Sequence, residues 1–149
     1  MISCVIKGIP LALETDADNF SPSRIDRGTL AMLSQVDFHP EDRVLDLGCG
    51  YGPVGILAAK LIGPDRVVMC DISDRAVEMA QRNAFVNGVS SVKIVRSDGF
   101  SQLDDTGFTL ILSNPPYHAD FSVPKSFIEK GFNRLQIGGR MMMVTKRKE

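Results

Sequence analysis

No apolar run in this sequence approaches the roughly 20 residues that cross a bilayer, and no basic stretch leads into an apolar one at the N-terminus. The expectation is a cytoplasmic protein with no membrane partner. Cysteine is scarce: Cys4, Cys49 and Cys70 are odd in number and form no C-x-x-C pair. This argues against a disulfide framework or a metal site and reads the three as small apolar fillers in a reducing compartment. Charge of one sign is also missing, for the formal net charge is only −1. Internal repeats and low-complexity tracts are absent, and apolar and charged residues stand at 44% and 23%, as in ordinary globular proteins. At 149 residues the chain is expected to be one domain with one core.

The chain is organised around Val44-Leu45-Asp46-Leu47-Gly48-Cys49-Gly50-Tyr51-Gly52. Arg43 to Leu47 is a short apolar run with one acid and reads as a buried parallel strand, while Pro53 opens a helical pattern through Val54, Ile56, Leu57, Ala58 and Leu61. Between them lie three glycines at alternate positions, which suit a turn needing positive φ and close approach of a ligand to the backbone. The free N–H groups of the following helix suit a small polar ligand. A dinucleotide fingerprint would need glycine where Pro53 stands, and no catalytic Tyr-x-x-x-Lys is present, so a nicotinamide oxidoreductase is disfavoured.

Taken in order, Ile2–Ile6 and Leu11–Leu13 predict a small hairpin or extended arm, and Ser23 or Asp26 begins a helix with Ile25, Leu30, Leu33 and Val36 on one face. A second buried strand, Arg66 to Cys70, ends at Asp71, about 20 residues past the glycines, where doubly wound nucleotide folds bind ribose hydroxyls. Asp71 could instead cap the next helix, Asp74 to Val86, although Ser73 and Asp74 are better placed for that. Val92–Val95 and Phe108–Leu112 predict the third and fourth strands. Pro124 starts a helix with Phe127, Ile128, Gly131, Phe132 and Leu135 inward, Gly138-Gly139 turns it, and Met141–Thr145 is the fifth strand. The alternation implies a doubly wound, mostly parallel α/β sheet in the order 3-2-1-4-5.

Asn114-Pro115-Pro116-Tyr117 follows the fourth strand, which should lie beside the first across the switch point, so both motifs would face one crevice. An exocyclic or amide nitrogen is a poor nucleophile because its lone pair is delocalised. Acceptors such as the Asn114 side-chain oxygen and the Pro115 carbonyl can hold both its N–H groups and so aim that lone pair. The prolines would fix the backbone and Tyr117 could stack on a planar substrate. A rigid proline turn with no chemistry is the alternative reading.

Asp46-x-Gly48-x-Gly50-x-Gly52 resembles motif I of class I S-adenosylmethionine (SAM) dependent methyltransferases. With Asn-Pro-Pro-Tyr, and with Phe20-Ser21 and Ile25-Asp26-x-Gly28-Thr29 near the start, nearly the whole chain resembles the "methyltransferase small domain" family, which includes bacterial ribosomal RNA guanine-N2 methyltransferases. The resemblance implies a Rossmann-like core over 41–149 preceded by an arm and helix over 1–40. It implies SAM as cofactor, ribosomal RNA as substrate and methyl transfer to the exocyclic amine of a nucleobase. Asp46, Gly48, Gly50 and Gly52 would line the methionine part of SAM and Asp71 would take the ribose hydroxyls. Ile72, Asp98, Gly99 and Phe100 would meet the adenine, and Asn114, Pro115, Pro116 and Tyr117 would hold the target amine. His118 also matches the family's pattern and reads equally as a loop residue.

Release-factor glutamine N5-methyltransferases share Asn-Pro-Pro-Tyr but usually follow it with an aliphatic residue, so His118 favours the nucleobase. From Ala119 onward seven bases outnumber three acids, a +4 segment suited to phosphates or simply to a solvated helix and tail. The family's sheet has two further strands, and the sequence holds nothing to build them after the fifth. The expectations are therefore a shortened sheet, pairing of two copies through the fifth-strand edge, and, as an alternative to catalysis, a non-catalytic SAM-binding module or a truncated fragment.

Overall fold

The computed structural model describes residues 1–15, 25–115 and 122–144. Strand β1 (Ile2–Ile6) pairs antiparallel with β2 (Ile9–Leu13) through a two-residue turn at Lys7 and Gly8, whose φ angles of 52° and 78° suit a tight hairpin. The second strand thus begins at Ile9 and includes Pro10, earlier than the apolar stretch suggested. Helix α1 (Arg27–Ser34) is capped by the Asp26 side chain. Its buried residues are Thr29, Met32 and Leu33, while Leu30, expected inward, is exposed.

The main sheet holds β3 (Val44–Leu47), β4 (Val67–Asp71), β5 (Lys93–Arg96), β6 (Phe108–Ser113) and β7 (Leu135–Met143). All pairs are parallel and the order is β5-β4-β3-β6-β7, the doubly wound order expected. Helix α2 (Pro53–Ile62) joins β3 to β4, α3 (Asp74–Val86) joins β4 to β5, and α4 (Ser122–Gly131) precedes β7. Strand β3 is buried throughout because it is central and covered on both faces.

Alternation along β3 divides the core. Val44 joins Met69, Leu110 and Leu112 beneath α2 and α3, where the hairpin and α1 also contribute Leu13 and Leu33. Leu45 and Leu47 face the other way, toward Val68, Phe100, Phe108 and Ile111, with Phe127 of α4 packed against them.

The end of the chain departs from expectation. Ile128 and Phe132 are exposed rather than inward, and Leu135 pairs with Phe108 as the first residue of β7. Gly138-Gly139 lies inside β7 instead of turning α4 into it. The register passes from Phe108↔Leu135 to Leu110↔Arg140, so a bulge occupies the intervening residues. A Cβ on Gly139 would stand 2.8 Å from the Phe108 carbonyl oxygen, which is why the bulged backbone requires glycine there.

Register sets the functional edge. Leu47 pairs with Cys70 on one side and with Ser113 on the other, so the carboxyl ends of β3, β4 and β6 are level. Gly48, Asp71 and Asn114 each follow one of those three residues. They therefore stand in one row, with Asp98 two residues beyond the end of neighbouring β5.

Candidate functional site

The turn after β3 is held by its neighbour strand. Cys49 N–H donates to the Cys70 carbonyl at 2.8 Å, Gly50 N–H donates to Asp71 Oδ2 at 2.8 Å, and Gly52 N–H closes on the Cys49 carbonyl at 3.1 Å. Gly48, Gly50 and Gly52 have φ of 71°, 58° and 102°. At Gly50 a Cβ would meet nothing within 4 Å, so the backbone borders open space that a side chain would occupy. The turn and the Asp71 carboxylate beside it leave room for a small polar ligand, and the residues present fit SAM.

Asp46 explains the lone acid in a buried strand. Its Oδ2 accepts from Gly55 N–H at 2.9 Å, satisfying an N–H in the first turn of α2, where Gly52 offers no side-chain cap. The side chain is only 3% exposed. Burial pushes its carboxyl up to about 7; the Gly55 N–H opposes that rise and the Asp71 carboxylate adds to it.

Asp71 is half-buried and divided between two backbone groups, with Oδ1 accepting from Ser73 N–H at 3.0 Å. The Ser73 hydroxyl caps α3 through Ala76 N–H. Ile72 stands 55% exposed beside them. Asp98 is exposed, its N–H donating to Gln102 Oε1 at 2.7 Å, and Gly99 turns with φ of 57°. Phe100 is buried in the core with the Arg134 guanidinium 5.3 Å from its ring centre. Arg134, one of the bases of the +4 segment, also donates to the carbonyls of Phe100, Leu103 and Asp105. That cation therefore ties a loop to the sheet.

Across the row, Ser113 Oγ donates to the Leu47 carbonyl at 2.7 Å and binds the end of β6 to the glycine turn. Asn114 is half-buried; its Nδ2 donates to Asp26 Oδ2 at 2.9 Å and to Thr29 Oγ1 at 3.0 Å. Pro115 is buried. Pro116, Tyr117 and His118 lie outside the described residues.

Four polar groups make contacts at this edge and beside the hairpin that the sequence did not reveal. Asp26 and Thr29 hold Asn114, and the only signal was their place in the Ile25-Asp26-x-Gly28-Thr29 stretch. Asn83 is wholly buried and bonds the Glu14 N–H and carbonyl and the Tyr51 carbonyl, joining the hairpin exit to the glycine turn. Asn87 pairs with the Ala12 N–H and carbonyl like an added strand residue. The available sign was Asn83 inside α3, where asparagine is disfavoured, with Asn87 four residues on at its C-terminal cap.

Among the described residues no three His, Cys, Asp or Glu side chains converge on a metal-sized site, and no helix is long and apolar enough to cross a membrane. A groove of about 540 Å³ between the hairpin and the ends of α2 and α3 lies apart from the functional edge. Lys60 lines it and donates to the Pro10 carbonyl.

Residues 10–149 match the family model described as methyltransferase small domain. The chain is 35% identical over 137 residues to the uncharacterized protein YbxB of Bacillus subtilis, covering 91% of this chain and 68% of that protein. It is 34% identical over 133 residues to ribosomal RNA small subunit methyltransferase C of Pseudoalteromonas atlantica, covering 86% of this chain and 38% of the relative. Among solved structures it resembles the Thermus thermophilus 16S rRNA N2 guanine methyltransferase RsmC in complex with AdoMet and guanosine. The TM-score is 0.83 at 25% identity, over 95% of this chain and 40% of that one. The chain thus spans about two fifths of the methyltransferase C proteins it matches.

Proposed function

The chain belongs to the methyltransferase small domain family, and on that premise we propose that it transfers a methyl group from SAM to the exocyclic amine of a nucleobase, guanine N2 in ribosomal RNA. Residues 1–149 act in this reading as one cytoplasmic methyltransferase domain. The observation that carries it is the level row of strand ends, which sets the glycine turn beside Asn114, with the Ser113 hydroxyl adding a bond to the Leu47 carbonyl at the end of the parallel ladder.

When bound, SAM supplies an electrophilic methyl on a positively charged sulfur that leaves as a neutral thioether. The backbone at Gly48, Gly50 and Gly52 gives room to its amino-acid part, with Asp46 fixing α2 behind the turn. Asp71 accepts from the ribose hydroxyls, and Ile72, Asp98 and Gly99 form the adenine side, with Phe100 packed in the core behind them rather than against the ligand. The Asn114 oxygen and Pro115 carbonyl accept the two N–H groups of the target amine and keep its lone pair out of the base's π system. On the family resemblance, Pro116 would stiffen that backbone and Tyr117 would stack on the base. The amine sheds its proton after it has gained the methyl, so no strong base is required. A paired guanine must be flipped or presented single-stranded to reach this edge.

Tritiated SAM offered with unmodified small-subunit ribosomal RNA, followed by nucleoside analysis, tests this. The reading predicts N2-methylguanosine, formed with a rate that falls steeply with salt as phosphate contacts weaken. Label appearing instead in a release-factor glutamine, with little salt dependence, would replace it with the protein substrate. Pairing of two copies along β7 also belongs to the proposal, supported by Phe132 and Ile137, which are 77% and 101% exposed. A monomer in sedimentation at high concentration counts against that pairing.

A further inference from the structure

We infer that Asp26 and Thr29 are positioning residues that lock the Asn114 side-chain amide in one of its two flip states, so that helix α1 serves the transfer site. The inference rests on the reading above, in which Asn114 receives the target amine. An asparagine amide has nearly the same shape either way round, and its two ends differ only in donating or accepting. A carboxylate can only accept. With Asp26 Oδ2 2.9 Å from one end of the Asn114 amide, that end must be the NH2 group. The flipped amide would set two oxygens against each other at that distance. Thr29 Oγ1 takes the NH2 group as well, at 3.0 Å. Both contacts draw the donors toward α1, so Oδ1 is turned away from it and presented as an acceptor.

The consequence is specific to the chemistry. An amine held for methylation offers two N–H donors, and a flipped Asn114 would oppose them with donors of its own. The lock therefore governs turnover and leaves the glycine turn untouched.

Its construction spans the chain, for Asp26 and Asn114 are 88 positions apart. Asp26 is held because the same Oδ2 caps α1 through Thr29 N–H at 3.1 Å, and Thr29 is buried. Gly28 lets α1 approach the end of the sheet: a Cβ there would lie 2.7 Å from Val144 Cγ1 and 3.0 Å from Asp26 Oδ2. Val144 N–H in turn donates to the carbonyl of Ser113, the residue before Asn114, at 2.9 Å. Helix α1, the end of β6 and the residue after β7 thus meet at one point.

Thr29→Val tests the lock without disturbing the Asp26 cap, and Asp26→Ala removes lock and cap together. Thr29→Ser and Asp26→Asn retain an oxygen able to accept. Three readouts are taken on the full chain: methyl transfer to unmodified small-subunit ribosomal RNA, calorimetric affinity for S-adenosylhomocysteine, and the side-chain amide NMR resonances of Asn114, assigned by their loss in Asn114→Ala. The lock predicts that kcat falls about tenfold in Thr29→Val and about a hundredfold in Asp26→Ala, the scale of one and two lost polar contacts. Affinity for S-adenosylhomocysteine stays within about twofold and the Asn114 amide resonances shift; both conservative variants return kcat to within a few-fold of wild type. Unchanged kcat and unchanged amide resonances in Thr29→Val overturn the inference, as does a loss of S-adenosylhomocysteine affinity equal to the loss of kcat. If the wild-type chain methylates no RNA, the functional reading fails, and the amide resonances alone then decide the lock: shifted in Thr29→Val they uphold it, unmoved they overturn it.

Discussion

The sheet is two unlike halves joined along β3. On one side, β3, β4, α2 and α3 are packed tightly enough that a Cβ on Gly55 would lie 2.5 Å from Met69 Sδ, and Asp46, Asn83 and the turn backbone have buried hydrogen-bond partners. On the other, α4 buries only Pro124 and Gly131 fully, and β7 is half-buried to exposed along its length. The first half is formed by the stability of the core itself. The second sets its key side chain through a few polar contacts to a helix far away in sequence. Damage to the first half should therefore cost folding, whereas damage to the second should cost chemistry.

Asn114→Ala gives the sharpest contrast. It removes the proposed acceptor from a half-buried position, so kcat is expected to fall about a thousandfold while S-adenosylhomocysteine affinity and melting temperature hardly change. Methyl transfer and calorimetry on the same preparation check this, and parallel loss of binding and turnover would erase the distinction between the halves.

In the first half, Asn83→Ala removes a wholly buried side chain and leaves the half-buried Glu14 and Tyr51 backbone groups without their partner. Denaturant unfolding should show a loss of about 3 kcal/mol. Loss of cofactor affinity should accompany it, because Asn83 ties down the carbonyl next to Gly50 and Gly52.

Asp46 adds a pH signature. Its folded carboxyl titrates at about 7 against an ordinary 3.8. Between those values the folded chain carries a proton that the unfolded chain has released. Its contribution to stability is therefore greatest below the lower value, declines as pH rises, and levels off above about 7. Asp46→Asn retains an oxygen for Gly55 N–H and cannot ionise. The variant should gain about 2 kcal/mol on wild type between pH of about 5 and about 8. A stability difference independent of pH would show that Asp46 is not desolvated as described.

The smallest effect belongs to the far edge. Ile137→Ser changes a fully exposed side chain on the β7 bulge and should alter unfolding free energy by less than about 0.5 kcal/mol. Any larger loss that grows with protein concentration would reveal a partner copy on that edge.

The two halves also differed in how far they could be read from sequence. Strand β3, helices α2 and α3 and the sheet order were legible to within about a residue, because Gly48 to Pro53, Gly63-Pro64 and Asn87-Gly88 punctuate the apolar runs of β3 and α2 and the amphipathic pattern of α3. Gly138-Gly139 misled, since a glycine pair marks a strand bulge as readily as a turn, and only the Phe108 carbonyl on the neighbouring strand distinguishes them. Asp46 and Asp71 were recognisable as out-of-place acids at strand ends, but their backbone partners, Gly55 and Gly50, depend on the folded turn. The hold of Asp26 and Thr29 on Asn114 was not legible, because no local periodicity links side chains more than 80 positions apart.

The proposed transfer needs the glycine turn and Asp71 to form a SAM crevice. The most direct measurement is a titration with S-adenosylhomocysteine followed both by calorimetry and by the backbone amide resonances of Gly48, Gly50, Gly52 and Asp71. Binding in the micromolar range is expected, moving those four resonances and weakened at least about tenfold by Asp71→Ala. Absence of binding, or binding that leaves the four resonances in place, would contradict it.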